Sequence, residues 1–71
     1  MIRIIIIEDE AAAAERLEKM LMTMPFDIKI IKILDSVSDS VAFLSTEDNF
    51  DLLLMDIHLS DGNSFDIFKF L

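Results

Sequence analysis

The amino-acid sequence predicts a small α/β domain built on a parallel β-sheet. Three apolar runs typical of strands, Arg3–Ile7, Ile28–Leu34 and Leu52–Met55, alternate with three segments typical of helices. The first and third runs lack the polar alternation that a half-exposed sheet would give, so we expect them to be buried on both faces. The β-α-β-α-β-α order predicts helices packed on the sheet and right-handed crossovers between strands.

The first helix is predicted to begin at Asp9 or Glu10 and to end at Thr23, because the residues between them are mostly strong helix formers. Pro25 cannot continue the helix. Five apolar residues at helical spacing are predicted to form its inward face. They are Ala13, Leu17, Met20, Leu21 and Met24.

The second strand, Ile28–Leu34, is interrupted by Lys29 and Lys32, which favours a place at the edge of the sheet. Asp35, Ser36, Ser38 and Asp39 then form a group typical of turns and helix N-caps. A short helix is predicted over about 38–44, with Val41 and Leu44 facing inward, followed by a polar loop over 46–49.

The third strand, Leu52–Met55, is predicted to lead into a loop over 57–63. Asp61-Gly62 is a turn signal, and Gly62 is expected to take a positive φ. Ser64 is predicted to cap a final helix that extends to Leu71. Among the aromatic residues, Phe26, Phe65 and Phe68 are predicted to lie in the core, whereas Phe43, Phe50 and Phe70 fit either the core or a contact surface.

Composition narrows the class of protein. The 71 residues include no cysteine and carry a net charge of −8, with 54% hydrophobic residues. The acidic charge argues against direct nucleic-acid binding by this segment. No apolar run reaches the roughly 20 residues that span a bilayer. We therefore expect a cytoplasmic chain without a membrane segment, and its apolar content favours a homo-oligomer or another covering partner.

Carboxylates follow two of the predicted strands. In doubly wound parallel sheets, ligands bind at this carboxyl end of the strands. Glu8 and Asp9 follow the first strand, and Asp56 follows the third. If the strands are neighbours, these acids converge and repel one another, and a hard cation such as Mg²⁺ would resolve the conflict. Asp56 could then act as a nucleophile toward phosphorus. Taken singly, each acid also fits a helix N-cap or an ordinary loop position.

The only histidine, His58, lies two residues after Asp56, in the predicted loop that would border the acids. Its side chain is expected to be an exposed loop imidazole. Its backbone carbonyl is the atom of interest for a cation site.

Two motifs resemble response-regulator receiver domains of two-component signalling. They are "IIIIEDE" at Ile4–Glu10 and "DLLLMDIHLSDGNSFDIF" at Asp51–Phe68, the second being similar to receivers of the LytTR type. The resemblance implies that Asp56 accepts phosphate from a histidine kinase and that Asp9 binds Mg²⁺ directly. It further implies that Glu8 supports the ion through water and that the backbone carbonyl of His58 is another ligand.

The resemblance also implies a flavodoxin-like fold with strand order 2-1-3-4-5. Residues 1–71 match its N-terminal part, with three strands in the order 2-1-3 and without the last two βα units. The receiver Ser/Thr and Lys that follow the fourth and fifth strands have no counterpart, since Lys69 falls on the third helix. We expect self-catalysed phosphotransfer at most, impaired by these missing groups, and a transcriptional output domain that is absent from this chain.

Two other functions remain open from the sequence. In one, the chain is a non-catalytic dimerisation or interaction fragment with a vestigial acidic site. In the other, Asp56 is the nucleophile of a small phosphatase-like enzyme, although His58 stands where a second catalytic acid is expected.

Overall fold

The computed structural model describes residues 1–56, 58–59 and 61–69, with the backbone alone for His58. The elements, in chain order, are strand β1 (Ile2–Ile7), helix α1 (Ala11–Met22), strand β2 (Ile28–Leu34), helix α2 (Val37–Leu44), strands β3 (Leu52–Met55), β4 (His58–Leu59) and β5 (Gly62–Asn63), and a 3₁₀ helix (Ser64–Lys69). The predicted alternation of strands and helices is confirmed as far as β3, and the structure differs from the prediction after it.

A three-stranded parallel sheet has the order β2-β1-β3. The predicted bounds of β2 and β3 are confirmed, and β1 begins one residue earlier than predicted. The register between β1 and β3 runs without a shift from Ile4 opposite Leu52 to Ile7 opposite Met55. The predicted order 2-1-3 and the edge position of β2 are therefore confirmed.

The central strand is buried on both faces, as its run of isoleucines predicts. Ile4 and Ile6 pack with Leu21 of α1 on one face. Ile5 and Ile7 pack on the other face against α2 and the 3₁₀ helix. That second cluster, called here the α2-side core, consists of Ile5, Ile7, Leu34, Val37, Leu59 and Ile67. Each fully buried isoleucine contributes about 1.5–3 kcal/mol, so β1 is the main apolar support of the fold.

Helix α1 buries a narrower face than predicted. Ala14 and Leu21 are buried, with Leu17 half-buried between them. Met20 is 57% exposed and Met24 is 40% exposed, so their predicted inward positions are wrong. Three strands offer a narrow surface, and the methionines that flank the buried stripe extend beyond it. None of the described helices combines the length and apolar character that crossing a membrane requires.

Helix α2 begins at Val37, one residue before its predicted start. Ser36 is the N-cap, and its side chain accepts a hydrogen bond from the Asp39 amide. The predicted inward positions of Val41 and Leu44 are confirmed, because both pack partly buried against the α2-side core. The same surface takes the two aromatic residues Phe43 and Phe50.

The segment after Asp56 is not the simple loop predicted over 57–63. His58 and Leu59 pair antiparallel with Asn63 and Gly62, forming a short hairpin of β4 and β5. Gly62 has a φ of +151°, which confirms the predicted positive value. Two-residue strands are too short to show the alternation by which a strand is normally found in a sequence.

The last described element is a 3₁₀ helix, and its N-cap is Asn63 rather than the predicted Ser64. The Asn63 side chain accepts a hydrogen bond from the Phe65 amide at 2.9 Å, and Asp66 accepts one from the Asn63 amide at 3.2 Å. This reciprocal pair is an acidic variant of the capping box. Of the predicted helix end, Phe70 and Leu71 lie outside the described residues.

The prediction that three phenylalanines lie in the core is wrong. Phe65, Phe68 and Phe26 are 58%, 51% and 63% exposed. A 3₁₀ helix has three residues per turn, so positions three apart share a face. Ser64 and Ile67 occupy the buried face, and the two phenylalanines that follow them in sequence necessarily lie together outside it.

Candidate metal centre

The carboxyl ends of β1 and β3 bring Glu8 and Asp56 side by side. The Asp56 amide donates to the Ile7 carbonyl at 2.9 Å, and the Glu8 amide donates to the Leu34 carbonyl at 2.8 Å. The backbone beyond each strand therefore stays attached to its neighbour for one more residue. Because the β1–β3 register is parallel and unshifted, both side chains leave the sheet at the same rim.

A polar clamp at the opposite end of the same strands fixes this register. The Arg3 amide donates to Asp51 Oδ2 at 2.8 Å, and the Asp51 amide donates to the Arg3 carbonyl at 2.8 Å. The Arg3 guanidinium also donates to Asp51, with Nε 3.3 Å from Oδ2, and to the side chain of Asn49. These hydrogen bonds hold the pKa of Asp51 below its usual range. A slip of one residue would turn Asp56 to the other face of the sheet.

The three acids predicted from the sequence do come together. Glu8, Asp9 and Asp56 each offer a carboxylate oxygen, and these three oxygens all lie within 4.8 Å of one another. We call this group the acid cluster. Oxygen atoms at this spacing suit a hard divalent cation that keeps part of its water shell. Exposed acidic groups also gather without an ion, so the geometry permits a metal without identifying one.

The charge environment of Glu8 reflects this crowding. Partial burial, followed by the negative charges of Asp56 and Asp9, raises the pKa of Glu8, although a hydrogen bond from the Glu10 amide acts in the opposite direction. That amide lies 3.2 Å from Glu8 Oε1, which ties the carboxylate to the start of α1. A bound cation would offset the repulsion that Glu8 experiences.

Open space surrounds the acid cluster on two sides. A cavity of about 270 Å³ lies on the α1 face of the sheet, where Leu17 and Leu54 line it together with Glu8 and Asp56. A groove of about 630 Å³ runs past Glu8 and Asp9 toward α2. This access leaves room for water molecules, or for a phosphoryl group, beside a cation held by the carboxylates.

His58 belongs to β4, where its backbone pairs with Asn63. Its side chain lies outside the described residues, so the expectation of an exposed imidazole stays a prediction. The role of its carbonyl as a metal ligand likewise stays a prediction. Lys69 lies on the 3₁₀ helix, where its ammonium is 3.0 Å from Asp66 Oδ1.

Two acidic residues whose carboxylates join distant parts of the chain were missed in the sequence. Asp51 was detectable, because it directly precedes Leu52 as the oppositely charged Arg3 precedes Ile4, and parallel pairing of Ile4 with Leu52 places the two charges together. Asp61 gave only a turn signal, yet its carboxylate accepts hydrogen bonds from the Val37 and Ser38 amides at the start of α2. Nothing in the local sequence indicates a partner 24 residues away.

Comparisons with protein-family models, with characterised proteins and with solved structures find no significant match.

Proposed function

We propose that this chain is the phosphoacceptor part of a two-component receiver domain, with Asp56 as the residue that a histidine kinase phosphorylates. One observation carries the proposal: three carboxylates from the ends of two neighbouring parallel strands lie within 4.8 Å of one another. The strand order β2-β1-β3 is consistent with the first half of a flavodoxin-like sheet. The sequence motifs that resemble receivers fall on the same two strand ends.

The residues of the acid cluster fit Mg²⁺ as the cofactor. Their donor atoms are all carboxylate oxygens, the ligand type that this ion prefers. In the proposal Asp9 and Asp56 bind the ion directly, Glu8 supports it through water, and the His58 carbonyl completes the protein ligands. When bound, Mg²⁺ would neutralise charge on the phosphoryl oxygens during transfer.

Asp56 supplies the nucleophile in this proposal. A carboxylate oxygen of Asp56 forms a bond to phosphorus as the bond from phosphorus to the kinase histidine nitrogen breaks; with the other ring nitrogen of that histidine protonated, the products are an acyl phosphate and a neutral imidazole. The β1–β3 register holds Asp56 at the rim, where it lines the cavity on the α1 face together with Glu8. The domain would then accept phosphate once and carry it as a signal, without turning over a separate substrate.

The resemblance to LytTR-type receivers supports two further parts of the proposal. The phosphorylated domain would control a transcriptional output domain outside residues 1–71. It would act in the cytoplasm, where a histidine kinase presents its phosphohistidine. The net charge of −8 would repel the phosphates of DNA, which fits an arrangement in which another domain contacts DNA.

Intact-mass spectrometry after incubation with a small acyl phosphate, such as acetyl phosphate, tests the proposal. We expect a single phosphoryl addition that requires Mg²⁺, is lost in Asp56→Asn and is strongly reduced in Asp9→Ala. Asp48→Asn is the matched control, because it changes the net charge equally at an exposed position outside the acid cluster. A folded protein that takes up no phosphoryl group, or takes it up in Asp56→Asn, would contradict the proposal.

A specific observation favours a second candidate, a dimerisation fragment. The outer edge of β2 is protected by Lys29 and Lys32 and by a register irregularity at the point where Ile4 pairs with Ile30 and Ile5 with Lys32. The outer edge of β3 has neither lysine side chains nor a register irregularity. Within the described residues β3 pairs with β1 alone, and Leu52 is 44% exposed. Two copies could extend the sheet by pairing their β3 strands.

Sedimentation of two matched variants tests this candidate. Leu52→Lys adds a charge to the open edge strand, and Ile33→Lys adds one to the protected edge at a similar exposure, 44% against 40%. A dimer that Leu52→Lys dissociates and Ile33→Lys leaves intact is the expected result. A folded monomer at micromolar concentration for the unmodified chain would exclude the candidate.

A further inference from the structure

The N-terminus of α2 receives caps from two different parts of the chain. Ser36, next to the helix, accepts a hydrogen bond from the Asp39 amide at 3.0 Å. Asp61, 24 residues from Val37, accepts hydrogen bonds from the Val37 amide at 2.6 Å and the Ser38 amide at 3.0 Å. Together these two side chains satisfy the first three amides of the helix, which have no partner within it.

The Asp61 carboxylate is well suited to this cap. Its two backbone hydrogen bonds hold the pKa of Asp61 below its usual range, so the carboxylate is charged at neutral pH. A negative charge at this end of a helix is also favoured by the helix dipole. The contact is therefore a charge-assisted link between α2 and the turn that follows β4.

The chain on either side of Asp61 is anchored to the same place. Leu59 and Ile67, both buried, pack with Val37 in the α2-side core. A Cβ atom at Gly62 would lie 3.2 Å from Asp66 Oδ2 and 3.5 Å from Val37 Cγ2, so the backbone approaches α2 closely. Asp61 is thus the polar centre of a contact in which residues 58–59 and 61–69 meet the first turn of α2.

This contact lies a short distance along the chain from the acid cluster. Asp61 is five residues after Asp56, which is itself tied to Ile7 by its amide. On the other side, α2 follows closely after Leu34, whose carbonyl accepts the hydrogen bond from the Glu8 amide. Both ends of the link therefore connect to the backbone that carries Glu8 and Asp56.

We propose that Asp61 is a positioning residue for the acid cluster: by fixing β4 and its turn to the start of α2, it holds the segment after Asp56, including the His58 carbonyl, in place for a cation. The inference rests on the proposed function, since it assigns Asp61 to the same site. Asp61 would touch neither the cation nor a phosphoryl group. Its effect would pass through the backbone that it anchors.

Ser36 supplies a matched control for this proposal. Ser36→Ala and Asp61→Ala both remove a cap from the same end of α2, but the hydrogen bond to the Ser36 side chain comes from within α2, and among the described residues none joins that side chain to the segment after Asp56. We expect Asp61→Ala to weaken Mg²⁺ binding, measured by calorimetry, by about 10-fold, a usual effect of losing a group that supports metal ligands. Ser36→Ala should change the affinity by less than about 2-fold, and Asp61→Asn, which keeps one acceptor oxygen, should give an intermediate value.

Amide hydrogen exchange without metal supplies a second readout. Asp61→Ala and Asp61→Asn should speed exchange at His58 and Leu59, whereas Ser36→Ala should affect α2 alone. Equal losses of Mg²⁺ affinity in Ser36→Ala and Asp61→Ala, or unchanged exchange at His58 in both Asp61 variants, would overturn the positioning role. A wild-type protein without Mg²⁺ affinity would instead refute the proposed function, and the exchange pattern would still decide whether Asp61 holds this segment.

Discussion

Replacing Asp9 with asparagine is expected to stabilise the metal-free protein while removing its response to Mg²⁺. Asp9 is exposed, and its carboxylate lies within 4.8 Å of those of Glu8 and Asp56. Asparagine has nearly the same shape as aspartate, and its side-chain amide carries no charge. The substitution therefore removes charge with little change in packing.

The size of the effect follows from the geometry. Two unit charges separated by 4.8 Å repel by about 0.9 kcal/mol at the dielectric constant of water. Asp9→Asn removes two such repulsions, and screening over a Debye length of about 8 Å reduces their sum to at most about 1 kcal/mol at physiological salt, since the sequence neighbours Glu8 and Asp9 also repel each other in the unfolded chain. In a domain of this size, 1 kcal/mol corresponds to a rise in Tm of roughly 4–8 °C.

Thermal unfolding followed by circular dichroism, with and without Mg²⁺, is the assay. An ion at ten times its Kd stabilises the wild type by about 1.4 kcal/mol, so the wild-type Tm should rise with Mg²⁺. Asp9→Asn should start from a higher Tm and respond little. Asp48→Asn, with the same change in net charge, should resemble the wild type in both respects.

Three results would refute this reasoning. The Tm of metal-free Asp9→Asn could fall, which would mean that Asp9 has a stabilising contact that outweighs the repulsion. Asp48→Asn could raise the Tm as much as Asp9→Asn does, which would make the effect one of net charge. Mg²⁺ could stabilise both variants equally, which would place the ion elsewhere.

The fold supports three further predictions. Ile67→Ala should lower the free energy of unfolding by about 2–5 kcal/mol in urea titrations, while Phe68→Ala, at a side chain 51% exposed on the same helix, should change it far less; equal losses would contradict the 3₁₀ packing. The lowered pKa of Asp51, caused first by its hydrogen bonds with the Arg3 side chain, means that its stabilisation is present above the ordinary value of 3.8 and is lost as the pH falls through the lower folded value. Asp51→Asn should therefore lose less Tm than wild type between about pH 5 and about pH 3, and a parallel loss would count against the clamp. Ser64→Ala should be neutral or stabilising by up to about 1 kcal/mol, because Ser64 Oγ is buried without a hydrogen-bond partner among the described residues; a large loss of stability would reveal a missing partner.

The sheet and the acid cluster could be predicted because their signals are local and redundant. A continuous apolar run such as Leu52–Met55 fits a buried strand, and parallel neighbours must end at the same rim. Once β1 and β3 are adjacent, Glu8 and Asp56 must lie close together. Lys29 and Lys32 likewise identified the edge strand before its partners were known.

The segment after Asp56 could not be predicted because its structure depends on distant contacts. Asp61 is an ordinary turn residue in sequence and becomes a helix cap only when α2 is brought beside it. Phe65 and Phe68 look like core residues until the three-residue period of the 3₁₀ helix places Ile67 inside instead. In the first helix, the inward face was misjudged because the width of the sheet, rather than hydrophobicity, decides which methionines are covered.

We propose that Glu8, Asp9 and Asp56 together hold a divalent cation at the rim of the sheet. Titration with Mn²⁺, followed by paramagnetic broadening of amide NMR signals, tests it most directly. Broadening should be strongest at these three residues, be displaced by excess Mg²⁺ and disappear in Asp9→Ala. Broadening centred on other acidic residues, such as Asp39 or Asp48, or spread evenly over the surface, would contradict the account.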